Sequence, residues 1–349
     1  MRTIKYLLLL SSFGAATAFG QTITWTAATN PHIVQGTYTV PTGQTLVMEP
    51  GVIVQIQPNS TLLVYGTVIA NGTTTSHVTI TSADNYSASI DAKGALNFAF
   101  TDVKAKVVPD DNGVLLFSDC TFSSNGTVFN GTVIQATGTR APYLQLDRCA
   151  FTGDGTFASA SLYLAYATVV LRDTSFTNAS YCSVSPGYLF VDNVTSDGST
   201  QFGLNLGSDS DLFIDNVSVT NASYAGLQLS GDTRNGTNVT LEGNEFPIHL
   251  TTAGLYAGSS VPVTGNVNNA IHVSEFAGVG GHWPKFGIPY YNDGAPLTVS
   301  VLLRIDPGVT INMAPFLHER HWLRRWDARL RHAGRTHPFP TRQRSSKLV

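Results

Sequence analysis

The sequence predicts an all-β chain wound as a single-stranded parallel β-solenoid, and three observations carry that expectation. Six segments share one pattern of short alternating strand, polar corner and small-residue turn. They are LLFSDCTFSSNGT from Leu115, LQLDRCAFTGDGT from Leu144, VVLRDTSFTNAS from Val169, LFVDNVTSDGS from Leu189, LFIDNVSVTNAS from Leu212 and VTLEGNEFPIHL from Val239. Aligning Phe117, Leu146, Leu171, Val191, Ile214 and Leu241 gives spacings of 29, 25, 20, 23 and 27, hence coils of about 20–29 residues. An irregular period of this size suits turns that stack while their loops vary in length. Second, inward positions repeat Leu, Val, Ile and Phe, whereas corners take Asp, Asn, Gly and Ser, which tolerate tight turns. Third, helical periodicity is nearly absent, which disfavours a leucine-rich repeat, and regular two-residue hairpin signals are missing, which disfavours an antiparallel sandwich. Parallel strands stacked ~4.8 Å apart pair every backbone group except those at the two ends.

Four regions follow along the chain. Residues 1–20 read as a secretory signal: Arg2 and Lys5, an apolar run from Tyr6 to Phe13, then small residues with cleavage expected after Ala18 or Gly20. The run is too short to span a bilayer, and no later stretch qualifies, so no membrane span is expected. Residues 21–282 form the solenoid. Residues 283–316 read as the start of a second module, because LVMEPGVIVQIQP at 46–58 recurs as LRIDPGVTINMAP at 303–315. Upstream, Trp25, Pro31 and Gly36 recur as Trp283, Pro289 and Gly294. Beyond Phe316 the first copy's strand pattern gives way to FLHERHWLRRWDARL. Residues 317–349 are therefore expected to be a disordered tail, from a truncated gene or a foreign reading frame, rather than a basic arm for nucleic acid or anionic lipid.

Charge divides the same way. Residues 319–349 hold nine Lys/Arg against two acids, whereas the body between signal and tail holds nine against 21. An acidic body argues against a polyanion such as DNA as partner, so no nucleic acid is expected. Three cysteines are too few for a disulfide scaffold. Cys120 and Cys149 fall at matching positions of adjacent coils, where they could bond or stand as stacked free thiols.

The segment YTVPTGQTLVMEPGVIVQIQPNSTLLVYGTVIANGTTTSHVTITS, residues 38–82, resembles the opening coils of secreted bacterial right-handed parallel β-helix proteins of the pectate-lyase-like superfamily. The elements that carry the likeness are Gly43-x-x-Leu46, Glu49-Pro50-Gly51-Val52, Leu63-x-x-x-Gly66-Thr67 and Ala70-x-Gly72-Thr73. The signal ending AFGQT is similar to those of Bacteroidota. The resemblance covers roughly residues 24 to 315. It implies a right-handed parallel β-helix and an exported protein, and leaves activity open, because this scaffold hosts lyases, hydrolases and adhesins alike.

Candidate chemistry is sparse. A lyase would need a cation facing the substrate carboxylate and a base for the α-proton; a hydrolase would need paired carboxylates. GSDSDLF places Asp209 and Asp211 on one side of an extended strand, where they could hold Ca²⁺ or simply mark an exposed turn. No other cofactor is expected. Arg148 and Arg172 occupy nearly equivalent corners and could line one face, or stand solvated beside Asp147 and Asp173. Asp110–Asp111 stands alone, and no catalytic signature of polygalacturonase-like or pectate-lyase-like enzymes is present. GGHWPKFGIPYY offers Trp283, Tyr290 and Tyr291 as a sugar-stacking platform, although the recurrence of its Trp and Pro at 25–31 also suits a structural role. Eleven Asn-x-Ser/Thr sequons suit Asn-Gly-Thr turns. The function expected is a non-catalytic, secreted or cell-surface β-helix, a structural or adhesive module binding polysaccharide or surface glycan. The alternative is a polysaccharide lyase or glycoside hydrolase acting on acidic polysaccharide.

Overall fold

Strict alternation of side chains, apolar inward and polar outward, recurs in short strands that a β-branched and glycine-punctuated sequence forms readily. A computed structural model describes residues 20–314 apart from 83–86, 111, 124–131, 137–141, 154, 156–160, 166, 180–181, 186–187, 208–211, 231–232, 252–262, 264, 274–277 and 294–297. The expected signal peptide, Asp209 and Asp211, and the tail after Phe316 lie outside the described residues. Almost everything described is strand, turn or bend, with one 3-10 turn at Ala27–Thr29. The all-β solenoid expected from the sequence is what the chain forms: parallel strands stacked coil on coil.

Each coil contributes to three files of strands. The first file runs from Thr22–Trp25 through Thr45–Met48, Thr67–Asn71, Ala95–Ala99, Val114–Ser118 and Tyr143–Asp147 to Thr168–Arg172. The second runs from His32–Val34 through Ile53–Ile56, Val78–Ser82, Thr101–Lys104, Thr121–Ser123 and Ala150–Thr152 to Ser175–Thr177. These two files then merge, because Tyr188–Asp197, Leu212–Thr220 and Thr233–Glu242 each serve both. The third file begins at Thr37–Val40 and stacks 13 strands down to Ile311–Met313.

The interior is filled in rows. Leu46, Val68, Leu96, Leu115, Leu144, Val169 and Leu189 lie in register in the first file, none more than 1% exposed. Phe98, Phe117, Phe122, Phe151 and Phe176 touch in a continuous ring column with centroid spacings of 5.3, 5.3, 4.5 and 4.8 Å, the first two contacts tilted and edge-on and the last two stacked. Burying each such ring contributes about 1.5–3 kcal/mol, so the stack is a large part of what holds these coils in register.

The corners follow from backbone chemistry. Between the first and second files, Asp119, Arg148, Asp173, Asn193, Asn216 and Asn238 all adopt left-handed φ between 48° and 54°. Asn and Asp tolerate that region because their short side chains bond locally, which explains their recurrence. Between the third and first files the coils pack so closely that a Cβ on Gly94 would collide with the carbonyl oxygens of Gly66 and Tyr65, and one on Gly66 with those of Gln44 and Pro41. At Gly66 and Gly94 only glycine fits.

Two sequence expectations change. Five of the six aligned segments do stack as aligned, with Phe117, Leu146, Leu171, Val191 and Ile214 in one row. The sixth does not: Ile214 pairs with Gly236, whereas Leu241 pairs with Val219 in the second file. Apolar-x-apolar-acid ends the strand at both corners, before Asn216 in one case and before Gly243 in the other, so the two registers look alike in sequence. The repeated entry motif also begins before residue 283, its first strand Gly278–Trp283 pairing with Thr298–Ile305 as a separate two-stranded sheet. Trp283 pairs with Ile305 as Trp25 pairs with Met48, and Trp283 stacks on Tyr290 as Trp25 stacks on His32, at 4.7 Å in both. The copy is therefore structural as well as sequential. It is turned by one face, because Tyr290–Asn292, the counterpart of His32–Val34, continues the third file instead of the second.

Candidate functional site

Burial decides the expected aromatic platform first. Trp283 and Tyr290 are each 1% exposed, their rings stack at 4.7 Å, and the Tyr290 hydroxyl donates to the Pro284 carbonyl at 3.0 Å. Neither offers a face to a sugar; they serve as interior packing at the repeated entry motif, which corrects the platform reading for these two. Tyr291 is half-buried and points the other way, as alternation requires. Beside this segment, Lys285, Ile288, Pro289, Val309, Thr310 and Asn312 line an open depression of about 210 Å³.

Tyr291 belongs instead to a cluster that the sequence reading missed. Along the third file His249, His272 and Tyr291 are in register, and all occupy positions opposite to the core side chains Ile248, Ile271 and Tyr290. The imidazoles of His249 and His272 stack at 4.9 Å, flanked by Phe202, Tyr224 and Phe246. They are only 6% and 3% exposed, so this stretch of the third file is covered on both sides. Tyr224 Oη lies 3.0 Å from His272 Nδ1, and His272 Nε2 lies 3.5 Å from Asp293 Oδ2. With its proton on Nε2, His272 donates to the carboxylate and accepts from the phenol. That hydrogen bond holds the Asp293 carboxyl below its ordinary range against opposing burial. Burial pushes the Tyr224 phenol up, making it a donor at any ordinary pH. His249 is the reverse case: burial, then the neighbouring His272, push its pKa down to about 3, and neither ring nitrogen has a partner among the described residues. The signal was present in FPIHL and AIHVS, where His replaces the usual small polar residue between apolar neighbours. Nothing local showed that this face would be covered.

The cysteines and corner arginines resolve cleanly. Cys120 and Cys149 are free, buried thiols that donate to the carbonyls of Ser118 and Phe117. Contact with the Cys149 thiol, then burial, pushes Cys120 far above the ordinary thiol range. Arg148 forks across the Asp119 carboxylate with two hydrogen bonds of 2.8 Å and reaches Asp147 at 2.7 Å. Its bond holds the Asp119 carboxyl below the usual range. Arg172 is not its equivalent: it pairs in register with Asp147 and lies over the Phe190 ring at 5.3 Å. The two guanidiniums are therefore placed one position apart and engaged differently.

The two exposed files carry different outward surfaces. On the second, one row reads Thr79, Asp102, Thr121, Ala150, Ser175, Thr195, Ser218, Thr240, and its neighbour includes Thr81, Lys104, Ser123, Thr152, Thr177, Asp197 and Thr220. Short hydroxyl side chains dominate, at the ~4.8 Å rung spacing of parallel strands. On the first file the outward positions are more apolar and aromatic.

Among the described residues no group of three metal-ligating side chains is assembled, and no helix is long and apolar enough to cross a membrane. No protein-family model matches the chain, and neither a curated protein nor a solved structure does.

Proposed function

We propose that the protein is a secreted or cell-surface, non-catalytic β-solenoid that binds glycan along its length. The observation that carries this reading is the double row of outward Thr and Ser hydroxyls on the second file, from Thr79 to Thr240. Regularly spaced small donors and acceptors on a flat, rigid sheet match an extended, hydroxyl-rich polymer, each contact being weak and the sum of many being specific. The leader-like residues 1–20 support export. Soluble and insoluble polysaccharides in gel-shift and pull-down assays provide the test. Retention by at least one polymer is expected, with weakening when Thr177→Lys and Thr195→Lys place bulky cations in the rows; absence of retention across the panel refutes the reading.

A catalytic reading is favoured by one observation, the hydrogen-bonded row Tyr224–His272–Asp293 beside His249, unpartnered among the described residues. It would make the chain a polysaccharide lyase or glycoside hydrolase, with the phenol as proton donor. Release of unsaturated or reducing ends, abolished by Tyr224→Phe, would establish it.

A further inference from the structure

On the first file each strand of the lower coils presents three outward positions. They read Tyr143, Gln145, Asp147, then Thr168, Val170, Arg172, then Tyr188, Phe190, Asp192, then Phe213 and Asp215 in the next coil. Register stacks these into a central row of Gln145, Val170, Phe190 and Phe213, bordered on one side by Asp147, Arg172, Asp192 and Asp215. On the other side Tyr143, Thr168 and Tyr188 form a third row. Tyr188 is 41% exposed, and Tyr143, Phe190 and Phe213 are half-buried, with the Arg172 guanidinium lying over the Phe190 ring. Large apolar side chains such as Ile33, Tyr65 and Val267 are exposed elsewhere too, but here rings gather on one face, Tyr188 and Phe213 with centroids 6.2 Å apart, and such a gathering marks a contact surface.

The polar border says what kind of contact. Asp192 accepts from the Asn216 amide at 3.1 Å and Asp215 from the Asn238 amide at 3.2 Å, which fixes both carboxylates beside the ring row. The Tyr143 hydroxyl donates to Gln145 Oε1 at 3.1 Å, which fixes that ring's direction. A carboxylate offers about four acceptor sites, and Asp192 uses one of them for the Asn216 amide. A pyranose offers the complementary pair: an apolar C–H face for a ring and equatorial hydroxyl donors for an acceptor beside it. Tyr143 and Tyr188 are two rungs apart, about 9.6 Å, close to the span of two sugars in an extended chain. Arg148 offsets Asp119 and Asp147, but the five carboxylates Asp119, Asp147, Asp173, Asp192 and Asp215 still outnumber the guanidiniums of Arg148 and Arg172, and the net acidic corner disfavours uronates and sulfated sugars. A protein partner or second copy would need a mostly apolar patch with its charges at the rim, not a file of carboxylates beside every ring.

We infer that the first file carries a binding site for a neutral glycan chain laid along the solenoid axis, with Tyr143, Tyr188 and Phe213 stacking on the sugars and Asp192 accepting from their hydroxyls. This rests on the glycan-binding reading above and adds to the second-file rows a further face, with its ligand class.

The experiment compares the full chain with Tyr143→Ala/Tyr188→Ala, Tyr188→Phe and the second-file variant Thr177→Lys/Thr195→Lys. Each is titrated with neutral β-linked polysaccharides and with polygalacturonate, and circular dichroism and thermal midpoints check that each variant is folded. The double alanine variant is expected to lose at least about tenfold in affinity for the neutral polymer. Tyr188→Phe keeps binding, because the ring and not the hydroxyl makes the contact. Neutral-polymer binding that survives loss of both tyrosines overturns the inference while leaving the glycan-binding reading intact. Binding confined to polygalacturonate does the same, whereas a tyrosine-dependent dimer without sugar binding overturns both. Failure to bind any polysaccharide overturns both.

Discussion

Replacing Asn244 by alanine isolates the polar part of the interior. Asn244 is fully buried, and its side chain holds three neighbours. Its Oδ1 accepts from the Ala222 amide at 2.9 Å, and its Nδ2 donates to the Val219 carbonyl at 3.1 Å and to Asn266 Oδ1 at 3.0 Å. Asn266 repeats the pattern one coil on, accepting from the Asn244 amide and donating to the Leu241 carbonyl. Truncation strands the Ala222 N–H and the Val219 C=O in a dry interior, at about 1–3 kcal/mol each, so roughly 2–6 kcal/mol is expected in all. Asn238→Gly is the contrast: that side chain is exposed, water replaces its bonds, and glycine keeps the φ of 52° at little cost, under about 1 kcal/mol. Urea denaturation ranks the two variants. Because coils in a solenoid are stabilised mainly by their neighbours, hydrogen exchange then reads the loss locally. Protection of the Ala222 amide is expected to fall by at least about thirtyfold. If Asn244→Ala costs no more than Asn238→Gly, or Ala222 keeps its protection, the ladder does not do what its geometry implies.

Three further outcomes follow from the same structure. Gly94→Ala forces its new methyl group into the carbonyl oxygens of Gly66 and Tyr65, backbone atoms that cannot rotate away, and is expected to cost more than about 3 kcal/mol by urea midpoint. His249 takes up a proton in the unfolded chain near pH 6.5 but in the folded chain only near pH 3, so the stability conferred by its neutral form is lost as pH falls through that window. Between pH 6.5 and 4 this amounts to up to roughly 3 kcal/mol; His249→Phe, which keeps a ring in the stack, should flatten the slope of stability against pH, and an unchanged slope counts against the assignment. In a Cys182→Ser background, Cys120 and Cys149 should react with a thiol reagent only as fast as the chain opens, because both are buried and Cys120 is held protonated; prompt labelling of the native protein contradicts this.

The sequence by itself determined the architecture. Alternation in segments such as LQLDRCAF and VVLRDTSF fixes which residues face inward, and Asp, Asn and Gly at left-handed corners fix where each coil turns, because both are consequences of local backbone geometry. The duplicated entry motif was legible for the same reason: Trp25 and Trp283 keep the same partners in both copies. What the sequence could not decide is anything that depends on the register between coils or on what covers a face. Leu241 looked equivalent to Ile214 because two different corners end in the same local pattern. Trp283 and Tyr290 looked like a surface platform and are interior, since large aromatic rings suit either place. Tyr224, His272 and Asp293, spread over some seventy residues, meet only because successive coils bring them to neighbouring rungs. The ring file of Tyr188, Phe190 and Phe213 and the hydroxyl rows from Thr79 to Thr240 are likewise properties of stacking. Inward and outward are written into each strand, whereas a surface that spans many coils exists only once they are stacked in register.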